Sequence, residues 1–139
     1  YNFQDPRKGM VWVALAGPAS NVIFAAVQGV VFQIMVKAGL IEFASFGYRV
    51  FTLAIFINLM LAFFNMIPIP PLDGSKVVAG LLPPEYLPMW DRFERKGYMI
   101  LMGLILISYI LHIPIFGMTI FPIAKLFYVF FSGGAPLMF

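Results

Sequence analysis

The sequence contains no cysteine. That excludes disulfide frameworks, thiolate zinc sites, iron–sulfur clusters and thiol chemistry. Histidine occurs once, at His112, and charge is scarce: charged residues make up 11% of 139 residues, where soluble domains carry about 25%. So few charges cannot cover the surface of a soluble globule, and an apolar content of 62% excludes intrinsic disorder. The formal net charge of +3 is too small and too scattered to mark a nucleic-acid surface. An integral membrane protein remains.

The charge-free runs predict its architecture. Residues 9–36, 50–72 and 97–124 carry no charge over 28, 23 and 28 positions, and a spanning helix needs about 20. The fold class expected is all-α: a polytopic helical bundle forming one transmembrane domain over 1–139. Its firm spans are expected at 10–36, 50–67 and 97–111. Residues 126–139 read as an interfacial, re-entrant or truncated fourth helix. The link 83–96 holds three prolines and then Asp91, Arg92, Glu94, Arg95 and Lys96. It reads as a surface-lying turn and a short amphipathic helix. The run after Lys8 is too long for the core of a cleavable signal. A start at Tyr1 suits a piece of a longer protein.

Orientation follows from the basic residues. Arg7, Lys8, Lys76, Arg92, Arg95 and Lys96 fall on one side of the proposed spans; Lys37, Arg49 and Lys125 fall on the other. The first group is expected to be cytoplasmic. Trp12, Tyr48, Tyr86, Trp90 and Tyr98 lie near the proposed interfaces, as aromatic belts do.

Polar groups inside membrane helices are few and therefore informative. In the first run, Gly17-Pro18-Ala19-Ser20-Asn21 interrupts the apolar pattern, and Pro18 is expected to break the helix by removing a backbone donor. Asn21, Ala25 and Gln28 share one stripe, and Asn58, Leu61, Ala62 and Asn65 repeat the pattern in the second run. The plain reading is hydrogen bonding between helices, each bond contributing about 0.6 kcal/mol. That reading suits Asn58 and Gln28 best. Asn21 and Asn65 lie beside prolines and point to a site.

The densest feature is Asn65-Met66-Ile67-Pro68-Ile69-Pro70-Pro71-Leu72-Asp73-Gly74. Three prolines in four positions end a helix. Unwound backbone at membrane depth survives only where protein buries it or it lines a cavity. A helix is expected to resume over 77–82. Asp73 could be a simple N-cap paired with Lys76. The functional reading is a metal ligand or proton-handling group, the default for an intramembrane acid. One carboxylate cannot hold catalytic zinc, which takes three protein ligands. His112 reads as an interfacial histidine, and any partners of Asp73 lie outside this sequence.

These residues resemble the site-2 protease family, the intramembrane zinc metalloproteases, in its compact prokaryotic form. Residues 17–21 match the family's GPxxN, and residues 65–74 match its longer and more specific NxxPxPxLDG. The approach from Asn2 and Phe3 to Gly9 and Met10 is also similar. The likeness weakens after Leu111. The resemblance implies one zinc ion with Asp73 as its third ligand. It implies Asn21 and Asn65 as polar groups that contact substrate backbone. Gly17, Pro18, Pro68, Pro70 and Gly74 become the elements that shape the site. The family's HExxH helix, with two histidine ligands and a catalytic glutamate, is not in these residues, so this piece alone is expected to be inactive.

The implied substrate is a single-span protein within the lipid bilayer of a prokaryotic cell, shortened on its non-cytoplasmic side. The link 37–49 is too short for an inserted peptide-binding domain. Two other classes fit the residues: a non-catalytic relative that binds membrane helices, and a transporter using Asp73 as an ion site beside a broken helix.

Overall fold

The computed structural model describes residues 5–137; Asn2 and Phe3, part of the approach noted above, lie outside them. The described residues form five α-helices and a short 3-10 turn, with no strand among them. The chain is all-α, as its composition predicts. Three helices are long and apolar enough to cross a membrane: α1 (Pro6–Lys37), α2 (Phe46–Asn65) and α5 (Ile115–Ser132). Between α2 and α5 lie α3 (Asp73–Leu81), the turn Pro84–Tyr86 and α4 (Leu87–Leu111).

Local chemistry sets the ends. Asp5 caps α1 by accepting from the Arg7 N–H at 3.0 Å, and Pro6 occupies the first turn, where a missing N–H costs nothing. Ser45 caps α2 by accepting from the Tyr48 N–H. α1 has 32 residues and so runs about 48 Å, well beyond the roughly 30 Å of a hydrocarbon core. It runs through Pro18 without a break, and Pro18 is buried. The expectation that this proline breaks the helix is therefore wrong. Packing against α2 and α3 holds the turn together despite the lost donor.

α2 and α5 pack on α1 around Ala25, Phe32, Ile55, Phe56, Leu59, Ala124 and Tyr128. Ring contacts set the direction of α5. Phe64 lies 5.6 Å from Phe116, and Phe56 packs edge-on against Phe121 and Tyr128. At the far end, the Gln33 amide donates to the Phe131 carbonyl at 2.7 Å. α5 therefore runs antiparallel to α2 and parallel to α1. Asn58 donates to the Gln28 side chain at 2.9 Å, the α1–α2 bond read from the polar stripes.

Two expectations are corrected here. The segment 126–139 is not a separate interfacial or re-entrant piece: through Ser132 it is the second half of α5, with Tyr128 and Ser132 buried. Lys125 had divided one apolar helix into two readings, although a lone lysine can reach an interface along its stem. Nor is 97–111 part of a helix among those long and apolar enough to cross. α4 is one helix from Leu87, so the charged link is its own first turns rather than a separate amphipathic helix. Its Gly97 packs on Pro70, just past α2, and four residues after Leu111 the chain begins α5 beside Phe64. Both parts of α4 thus lie at the Asn65 end of α2. The 15 apolar residues after Lys96 would cover only about 22 Å. His112, with φ 55°, makes the turn between α4 and α5.

Candidate functional site

The unwound segment expected after α2 is present. α2 ends at Asn65, residues 66–72 are irregular, and α3 starts at Asp73, four residues earlier than expected. A Cβ on Gly74 would sit 2.2 Å from the Met66 carbonyl oxygen and 2.5 Å from that of Ile67. Only a glycine lets α3 start this close to the end of α2. Pro70 is buried against Gly97, whereas Pro68 and Pro71 are exposed.

Beyond the break α3 continues antiparallel to α1, as α2 does, with Asp73 against α1. A Cβ on Gly17 would lie 3.1 Å from Asp73 Oδ2. The carboxylate therefore rests on the bare backbone of Gly17, one helical turn before Asn21. Gly17 is eight residues from Gly9, so the carboxylate lies about 12 Å along α1 from the charged end. Its side chain is 31% exposed. Lys76 Nζ lies 3.9 Å from Oδ1, but the lysine is 53% exposed, and an exposed pair of that length contributes little. Leu72, not Asp73, is the N-cap of α3. Asp73 is the first helical residue, where the helix dipole favours a negative charge.

Gly17, Pro18 and Asn21 on α1 and Asn65, Pro68, Pro70, Asp73 and Gly74 at the break therefore fall at one end of the bundle. Asn21 and Asn65 are half-buried, and among the described residues neither side-chain amide makes a hydrogen bond. His112 is exposed in the α4–α5 turn, where its ring approaches the Ile110 carbonyl. Gly97 escaped sequence reasoning. Its one signal was a small residue at the junction between the charged and apolar parts of α4.

The donor set fits zinc in part. A carboxylate oxygen is a normal zinc ligand, but catalytic zinc takes three protein ligands. No group of three His, Cys, Asp or Glu residues capable of holding a metal occurs among the described residues.

The model of Peptidase family M50 matches residues 33–109, a stretch that includes the proline-rich break and Asp73 but starts beyond Gly17 and Asn21. "Putative zinc metalloprotease YwhC" of Bacillus subtilis is 33% identical over 105 residues, covering 73% of this chain and 48% of the relative. "Putative zinc metalloprotease MJ0611" of Methanocaldococcus jannaschii is 37% identical over 101 residues, covering 72% of this chain and 42% of the relative. The chain spans about half the length of these relatives. No solved structure matches it significantly. With three apolar helices and this match, the chain is a multi-pass membrane protein and belongs to peptidase family M50, the site-2 proteases.

Proposed function

We propose that the chain forms part of the membrane core of an intramembrane zinc metalloprotease and supplies one of its zinc ligands, Asp73. The observation that carries this reading is the placement of a carboxylate at the restart of a broken membrane helix, resting on Gly17 of the GPxxN segment. The other two ligands and the catalytic glutamate would come from residues outside these 139. Zinc, when bound, supplies Lewis acidity that activates water and polarises a carbonyl.

The chain's own residues shape the rest of the site. The proline-rich segment 66–72 keeps backbone out of helical hydrogen bonding. The free amides of Asn21 and Asn65 can bond the backbone of an unwinding substrate; the irregular segment, whose N–H groups are used in its own turns or absent at proline, can offer carbonyl oxygens to it. The substrate is a single-span membrane protein, already shortened outside. The basic residues Arg7, Lys8, Lys76 and Arg92 mark the cytoplasmic side of a prokaryotic cell membrane, so cleavage falls in that half of the bilayer.

The test uses the full-length protein. Asp73→Asn should release zinc and abolish cleavage of a model substrate while leaving membrane insertion intact. Wild-type cleavage by that variant ends the proposal.

A further inference from the structure

We infer that Arg7 is a positioning residue for Asp73: it clamps the far end of α3 to α1 and so keeps the carboxylate beside Gly17. The inference rests on the reading of Asp73 as a zinc ligand. In the sequence, Arg7 is only a charge that orients the chain. In the structure, one nitrogen of its guanidinium, Nη2, donates to the Ala79 carbonyl at 2.9 Å and to the Leu82 carbonyl. These carbonyls belong to the last turn of α3 and its cap, where the final C=O groups of a helix lack internal partners. A cation at that end also opposes the helix dipole.

The clamp matters because α3 is short. Nine residues do not form a stable helix alone, and the chain on both sides of α3 is non-helical. Its position therefore depends on α1. The contacts lie in antiparallel order: Asp73 against Gly17, Gly80 against Val11, and Ala79 and Leu82 against Arg7. Arg7 and Gly17 are ten residues apart, about 15 Å, while Asp73 and Leu82 are nine apart, about 13.5 Å. The two helices match in length between their anchors. The near end holds Asp73 by contact alone, whereas the far end is fixed by directed hydrogen bonds. Loss of the far anchor frees α3 to slide along α1 and carries the carboxylate with it.

The structure also supplies a substitute clamp. A Cβ on Gly80 would lie 3.5 Å from the Val11 Cβ, inside the roughly 3.5–4.5 Å range of a disulfide, and these residues contain no native cysteine.

The experiment measures zinc affinity by chelator competition, and hydrogen exchange of α3 amides, in the full-length protein in detergent. Arg7→Gln should weaken zinc about 10–100-fold, as loss of a ligand's supporting partner does, and should raise exchange in α3 but not in α2. Adding Val11→Cys and Gly80→Cys to Arg7→Gln should restore zinc affinity when the pair is oxidised and not when it is reduced. Arg7→Lys controls for the orienting charge and should insert normally. Unchanged zinc affinity or α3 exchange in Arg7→Gln overturns the inference while leaving the role of Asp73 intact. So does a fully cross-linked variant that still loses zinc, because charge rather than position would then be at work. If Asp73→Asn binds zinc as the wild type does, both readings fall together.

Discussion

Gly74→Ala is the most direct test of how the broken helix aims Asp73. The added methyl would sit 2.2 Å from one backbone oxygen and 2.5 Å from another, against a floor near 3.0 Å for real Cβ contacts. Neither oxygen belongs to a side chain that can swing aside. Both belong to the first residues after α2, at the start of a segment held by its prolines. Relief therefore requires α3 to back away by about 0.8 Å or the 66–72 segment to shift. Overpacking of this kind costs about 1–3 kcal/mol. The functional cost should be larger, since a displacement near 1 Å in an active site can reduce rate by about 100-fold. Gly103→Ala is the control, because nothing lies within 4 Å of its Cβ position. The assay is thermal unfolding and cleavage of a model substrate by the full-length protein. Gly74→Ala should melt earlier and lose most of its activity, while Gly103→Ala should do neither. Wild-type behaviour in Gly74→Ala would refute the close approach and the aiming argument built on it.

Other outcomes follow from the same packing. A double-mutant cycle of Asn58→Leu and Gln28→Leu should show a coupling near 0.6 kcal/mol, measured by unfolding in mixed micelles; zero coupling would mean that their hydrogen bond is not formed in the membrane. Cysteines at Glu94 and His112 should label from one face of the membrane and a cysteine at Gly134 from the other; labelling of the first two from opposite faces would show that α4 crosses after all. Gly97→Val should detach α4 from Pro70, where a Cβ would lie 2.3 Å from the proline's own, and raise proteolytic sensitivity of residues 87–111. Unchanged digestion would show that α4 is held elsewhere.

The site was legible in the sequence for a chemical reason. Prolines act on the backbone at their own positions, so Pro68, Pro70 and Pro71 could only unwind the chain, and Asp73 had to follow at once, although the helix resumes at Asp73 itself and not at the expected residue 77. Gly74 beside it promised a close approach, and the Met66 and Ile67 carbonyls are what it approaches. Pro18 shows the limit of the same argument. Its missing donor is identical, but neighbouring helices hold the turn, and no sequence window contains those neighbours. Arg7 was legible as a charge and not as a clamp, because its partners are backbone carbonyls more than 70 residues away.

The helix count came out right while one of its members was wrong, and the error has a physical origin. Counting charge-free residues treats each charge as a boundary. Lys125 is a boundary by that rule, yet it sits inside α5, two helical turns before Ser132. The true boundary after α4 carries no charge: His112 in a left-handed conformation, then Ile113 and Pro114. Leu111-His112-Ile113-Pro114 was visible all along, and the residue before a proline is biased away from helix. Apolar composition shows that a segment can live in lipid. Where a helix stops is decided by backbone chemistry, and in this chain the two signals separate only at the α4–α5 turn. The consequence reaches the site. With α4 turning back at His112, α5 begins beside Phe64 at the same end of the bundle as Asp73.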